Sequence, residues 1–128
     1  MNYKTKIFPK SRIATIDVCE IGKWKHHIPA FLEIDVTLAR EKIKNYKINI
    51  GKISFVAWLI KVIAHSLSKF PEITAYLCGN QRMMIFNDIN ISFLVEKVIQ
   101  GEKVPIPVLI ERANLQEIES ITKLLNNS

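Results

Sequence analysis

The sequence predicts a mixed α/β fold without the strict strand–helix alternation of a Rossmann sheet. Three observations carry this expectation. Apolar and polar residues alternate before residue 37 and again after residue 74, which is strand spacing. One stretch, Phe55–Lys69, is apolar at helical spacing around most of its circumference. Turn signals at Gly79-Asn80, Asn87-Asp88 and Gln100-Gly101-Glu102 divide the second half into a β meander. The expected order is therefore β, β, α, α, a β meander, then α.

Arg12–Cys19 alternates and predicts a short strand, followed by a polar, basic loop over Gly22–Ile28. Ala30, Leu32, Ile34 and Val36 share one face of a second strand, with Phe31, Glu33 and Asp35 on the other. A helix is expected over Leu38–Asn45, capped near Asp35 or Thr37. Ser54 is a good N-cap for the strongest helix, Phe55–Lys69, which must stop before Phe70-Pro71. Its polar positions, Lys61, His65, Ser68 and Lys69, form one narrow stripe, so the helix should be packed on more than one side. Thr74–Cys78 and Arg82–Phe86 flank the first meander turn, and Ile89–Ile99 follows with Ile89, Ile91, Phe93 and Val95 on one face. Pro105 and Pro107 within Lys103–Ile110 call for an edge position or a bulge. Asn114 with Glu117 resembles a capping box opening a last helix that carries Leu115, Ile118, Ile121 and Leu125. Glu119 and Lys123 give it an i,i+4 pair.

The 128 residues are one domain's worth of chain, 48% apolar and 23% charged, which excludes disordered and low-complexity classes. The longest uninterrupted apolar run, Phe55–Ile60, is six residues, whereas a membrane span needs about twenty. The amino terminus has no apolar signal core, and Cys19 and Cys78 fit no metal or redox spacing, so a cytoplasmic protein is expected. Both cysteines read as small packing residues. The net charge is +6, and residues 1–27 concentrate it, with six Lys/Arg against Asp17 and Glu20. Residues 1–11 form a basic amino-terminal arm. Such an arm suits nucleic acid, a phosphorylated cofactor, an acidic partner, or simply water.

Few residues advertise chemistry. No glycine-rich phosphate loop is present. His26-His27 is an adjacent pair that faces opposite ways on an extended segment, with no further ligand at metal spacing, so no metal site is expected. His65 falls on the polar stripe of the long helix and reads as a surface histidine. Glu33 and Asp35 share a strand face without marking an acid/base pair. Trp24 lies between Lys23 and Lys25, where it could stack on a base, but no nucleic-acid motif accompanies it and nucleic acid is set aside as a partner.

Three stretches taken together resemble a known family: "KHHIPAFLEIDVT" (25–37), "ISFVAWLIKVIAHSLSKFPEITAYL" (53–77) and "NDINISFLVEKVIQGEKVPIPVLIERANLQEI" (87–118). Their order and spacing are similar to the catalytic domain of the 2-oxoacid dehydrogenase acyltransferases, the dihydrolipoamide acyltransferase family. The resemblance runs over roughly residues 12 to 125. It rests on Ile28-Pro29 with Asp35-Val36-Thr37, on Leu59-Ile60-Lys61, on Phe70-Pro71-Glu72, and on Gly101, Val104-Pro105, Val108-Leu109-Ile110, Ala113, Leu115 and Glu117-Ile118. Residues 1–27 depart from the usual Arg-rich first helix of the complex-forming members. The resemblance implies a two-layer α/β sandwich of chloramphenicol-acetyltransferase type, represented by its amino-terminal half. It implies one partial acyltransferase-like domain over residues 1–128, with no lipoyl domain or lipoyl lysine and no peripheral-subunit-binding domain.

The implied activity is acyl transfer between coenzyme A and a thiol, amine or hydroxyl, with acyl-CoA as substrate. The family's general base is a histidine followed four residues later by aspartate and then glycine. Here the residues four places after His26, His27 and His65 are Ala30, Phe31 and Lys69, so no catalytic residue carries over. What does carry over is the region that meets the phosphorylated end of CoA, where Lys23, Lys25 and Lys52 stand; an ammonium suits phosphate as a point charge. Family members are trimers or larger, so a homo-oligomer, a trimer by resemblance, is implied, or else a chain carrying the missing half. The chain then reads as a piece of a longer enzyme, one part of a split enzyme, or a non-catalytic interaction module. Half a sandwich should leave a sheet edge and an apolar helix face uncovered, with the long helix bearing Trp58 as the expected surface.

Overall fold

A computed structural model describes residues 2–25, 27–99 and 101–127. They form four helices, α1 (Ile13–Lys23), α2 (Thr37–Asn49), α3 (Phe55–Lys69) and α4 (Ile118–Asn127), and four strands, β1 (Tyr76–Cys78), β2 (Arg82–Met84), β3 (Ile91–Ile99) and β4 (Glu102–Ile110). The strands pair as two separate two-stranded sheets, β1 with β2 and β3 with β4. The residues fall into two compact units: one takes the chain up to Ile34 with Lys97–Val104, the other Asp35–Glu96 and the chain from Pro105.

The second unit holds the core. Ser54 begins α3 as expected: its hydroxyl accepts from the Ala57 N–H at 2.9 Å. One face of α3, Ala57, Ile60 and Ala64, is buried against Ile89, Ile110 and Ala113 beside the β3–β4 pair and against Ile121 of α4. The inward residues of β3, Ile91, Phe93 and Val95, alternate with outward Ser92, Leu94 and Glu96, and Ile91 and Phe93 pack on that core. Two helices thus lie on one sheet. β4 runs unbroken through Pro105 and Pro107, because in a two-stranded sheet each strand keeps one edge where a missing N–H breaks no ladder. β1 and β2 are antiparallel, Tyr76 opposite Met84 and Cys78 opposite Arg82. Gly79 turns that hairpin with φ +65° and Gly101 the next with φ +82°, a backbone that favours glycine.

Several expectations are corrected. Within residues 12–19, Arg12 ends a turn of 3-10 helix, Lys10–Arg12, and the rest form most of α1 rather than a strand. A helix satisfies its own backbone bonds, whereas a strand needs a neighbour, and among the described residues none pairs with this stretch. Residues 27–36 form no strand either, for the same reason, and Phe31 stays 96% exposed. The first unit has no buried residue among those described. α3 is fully buried on one face, is half-buried at Phe55 and Trp58 toward α2, and leaves Val62 and Ile63 exposed. Trp58 is half-buried and stacked on Phe55, whereas Ile28, Phe31, Leu32 and Ile34 are exposed. Asn114 does not cap α4. Its amide accepts from the Ile89 N–H at 3.0 Å and donates to the Asn87 carbonyl at 3.2 Å, clasping the turn before β3. Leu115 is exposed, and Cys19 and Cys78 are exposed free thiols rather than packing residues.

Candidate functional site

Lys23 is the last residue of α1 and Lys25 lies two residues beyond it, in the first unit. Lys52 lies in the second unit, on the short connection between α2 and α3. All three are exposed. Lys23 pairs with Glu20 one turn earlier, at 2.5 Å. That contact shares its charge with a carboxylate and weakens it as a phosphate anchor, although a surface pair of this kind contributes little energy. His27 is exposed, and its ring stands beside Gly22, where a Cβ would lie 3.9 Å from Nε2. His26 lies outside the described residues. His65 is exposed on α3, as its stripe position predicts. Among the described residues no group of three or more His, Cys, Asp or Glu side chains is placed to hold a metal ion. No helix among them is long and apolar enough to cross a membrane.

The structure gathers a second set of residues that sequence reading missed. Leu38, Ala39, Lys42, Ile43 and Tyr46 of α2 line a groove of about 350 Å³ with Ile53 and Trp58. Ile43 and Ile53 form its buried floor. The Tyr46 hydroxyl donates to Glu119 Oε1 of α4 at 2.5 Å. This bond pulls the Glu119 carboxyl below the usual glutamate range and, with some desolvation, raises the Tyr46 phenol. The Arg40 guanidinium sits 4.6 Å from the centre of the Phe55 ring, which is stacked on Trp58 at 5.5 Å. No single-residue motif announces this ladder, because its members come from two helices whose approach is a tertiary fact.

Lys61 is likewise more than a solvated stripe residue. Its ammonium donates to the carbonyls of Asn114 at 2.9 Å and Gln116 at 2.5 Å, tying α3 to the turn after β4. Asp35 begins α2 by accepting from the Thr37 hydroxyl at 2.6 Å and the Thr37 N–H at 2.8 Å; both lower its pKa, the hydroxyl most. It is a helix-start residue, not half of a catalytic carboxylate pair with Glu33.

The family described as 2-oxoacid dehydrogenases acyltransferase (catalytic domain) matches residues 23–128. The chain belongs to this acyltransferase family. A curated relative, the dihydrolipoyllysine-residue acetyltransferase component of the pyruvate dehydrogenase complex of Buchnera aphidicola, is 31% identical over 108 residues, 78% of this chain and 27% of the relative. Among solved structures, a truncated catalytic core of the 2-oxoacid dehydrogenase multienzyme complex from Thermoplasma acidophilum superposes with a TM-score of 0.70 at 16% identity, covering 98% of this chain and 57% of that one. The cubic core of the pyruvate dehydrogenase multienzyme complex gives 0.73 at 16% identity over 97% of this chain and 53% of that one. A probable dihydrolipoamide acetyltransferase from Listeria monocytogenes gives 0.68 at 22% identity, covering 98% and 54%. The chain thus spans about half the length of the catalytic cores whose fold it shares, and about a quarter of the curated relative. The helices and antiparallel strand pairs described above are the two-layer architecture of those cores.

Proposed function

We propose that residues 1–128 supply part of a single acyltransferase domain that moves an acyl group between coenzyme A and a thiol, amine or hydroxyl acceptor. The observation that carries this reading is the family match over residues 23–128. In this reading Lys23, Lys25 and Lys52 meet the phosphorylated end of CoA as exposed point charges. Acyl transfer needs a base at the acceptor and a donor aimed at the oxyanion, each contributing a factor of about 10² or more. No histidine here is followed at the fourth place by aspartate, so the base comes from residues other than these 128. The domain works in the cytoplasm as a homo-oligomer, a trimer by resemblance, or beside a chain that carries the histidine. The assay is thiol release from acetyl-CoA with dihydrolipoamide as acceptor. It compares this chain alone, the chain with a partner bearing the His-x-x-x-Asp-Gly motif, and a His26→Ala/His27→Ala double variant. Silence alone and turnover with the partner are expected; turnover by the chain alone, abolished in the double variant, overturns the reading.

A second reading, a non-catalytic or split-enzyme module that assembles with an acyltransferase, is favoured by one observation. Ile28, Phe31, Leu32 and Ile34 are all exposed, in a unit with no buried residue among those described. Apolar side chains in that number are normally covered by a partner surface. Addition of a histidine-bearing acyltransferase separates the readings: a module binds it without adding turnover.

A further inference from the structure

We propose that the groove between α2 and the start of α3 binds a small amphipathic carboxylate, its apolar tail on Ile43 and Ile53 and its anionic head on the Lys42 ammonium. The groove lies wholly within the second unit and uses none of the lysines assigned to CoA, so the inference stands apart from the proposed activity. Its volume, about 350 Å³, falls within the range of small-molecule sites, and its lining has their composition: mostly apolar side chains with a few polar groups.

The polar inventory decides the sign of the ligand. Tyr46 has one hydroxyl proton, and Glu119 takes it. The donors left in the lining are the indole N–H of Trp58, which is neutral, and the Lys42 ammonium, the one cationic group among the lining side chains. Among the described residues that ammonium makes no ion pair or hydrogen bond. The surrounding helix has the same sign: α2 carries Arg40, Lys42, Lys44 and Lys47 against Glu41. The nearby carboxylate, Glu119, lies outside the lining and is shared between the Tyr46 hydroxyl and the Lys123 charge. An anionic head is therefore favoured over a cationic one, and it stays wet because Lys42 is exposed.

The walls decide the tail. The floor is two buried branched aliphatics, with Leu38 and Ala39 on one helix and two aromatic side chains, Trp58 and the Tyr46 ring, also in the lining. Trp58 is held by its stack on Phe55, which the Arg40 guanidinium covers, so this indole is in place before a ligand arrives. An open, mostly aliphatic surface suits a flexible chain of about eight carbons, each methylene contributing through burial alone.

The test uses the 128-residue chain with Trp24→Phe, so that Trp58 is its one indole, titrated with sodium octanoate while its fluorescence is followed. A saturable blue shift is expected. Lys42→Glu should weaken binding about fivefold or more, as expected for losing and reversing one exposed charge contact, and Lys44→Glu by less than about twofold. Leu38→Asp, at an exposed position that tolerates charge, should weaken it further. Octanamide, with the same tail and no charge, should bind more weakly than octanoate. In the Trp58→Phe chain the remaining Trp24 should not respond at the same concentrations. No saturable shift, equal effects of Lys42→Glu and Lys44→Glu, equal binding of octanamide, or a matching response from Trp24 would each overturn the assignment.

Discussion

The Tyr46 hydroxyl of α2 donates to the Glu119 carboxylate of α4, joining residues 73 positions apart across the face of the second unit. The bond favours the charged carboxylate and the neutral phenol together. Glu119 has a lowered folded pKa, so its contribution is present above the ordinary glutamate value of about 4.3 and is lost as pH falls through the lowered one. Tyr46 has a raised folded pKa, so its contribution holds below the ordinary tyrosine value of about 10 and is lost as pH rises through the raised one. Tyr46→Phe should therefore lower the melting temperature across the neutral range. The gap between variant and parent should close at both extremes. Thermal scans of the two proteins at a series of pH values check this; a gap that ignores pH counts against the bond.

Lys61→Met should be costly for a residue on the edge of a helix. It removes a charged donor from two carbonyls and leaves both to water or to nothing. A loss of about 2–3 kcal/mol is expected, read as a lowered urea midpoint at unchanged slope. Lys61→Arg should recover part of it, since a guanidinium still offers donors on a similar reach.

Ile121 and Ile110 have no exposed surface and meet in the same core. Ile121→Ala should cost about 2–5 kcal/mol, because the transfer term and the residual cavity add. Ile118→Ala, at a half-buried position on the same helix, should cost less. Equal midpoints for the two variants would mean that α4 is not packed as described.

Any CoA binding by this chain should fall steeply with salt, since Lys23, Lys25 and Lys52 are exposed. Lys52→Glu should weaken it several-fold more than Lys123→Glu, while Glu20→Gln should strengthen it slightly by releasing Lys23. Calorimetry at low and moderate ionic strength reads both effects. Identical behaviour of the Lys52 and Lys123 variants would remove Lys52 from the site.

The chain should self-associate at concentrations near 100 μM, a range of roughly the affinity expected for unoptimised apolar contacts. Its driving surface is Ile28, Phe31, Leu32 and Ile34. Phe31→Asp with Leu32→Lys should return the chain to a monomer by light scattering without lowering its melting temperature, because neither side chain is buried. A melting temperature that falls with the double substitution would place those residues in the chain's own core.

What could be read from the sequence is what local chemistry encodes. Ser54 announces the start of α3 because its hydroxyl needs only the N–H three residues on. Gly79 and Gly101 announce the hairpins because their backbone angles favour glycine. The alternation of β3 shows because one face is wet and the other dry. The ordered motifs placed the family for the same reason, being local patterns at fixed spacing. What the sequence could not decide is what depends on a partner far along the chain. Residues 12–19 and 30–36 alternate like strands, yet a strand exists only where another backbone meets it, and among the described residues none pairs with either. Asn114 looked like a cap and became a clasp on Ile89 and Asn87. Lys61 looked like a wet stripe residue and became a tether. Tyr46 and Lys42 carried no signal, and Trp58 read only as an apolar residue of the long helix, because a groove is made by the approach of two helices and belongs to neither sequence segment alone.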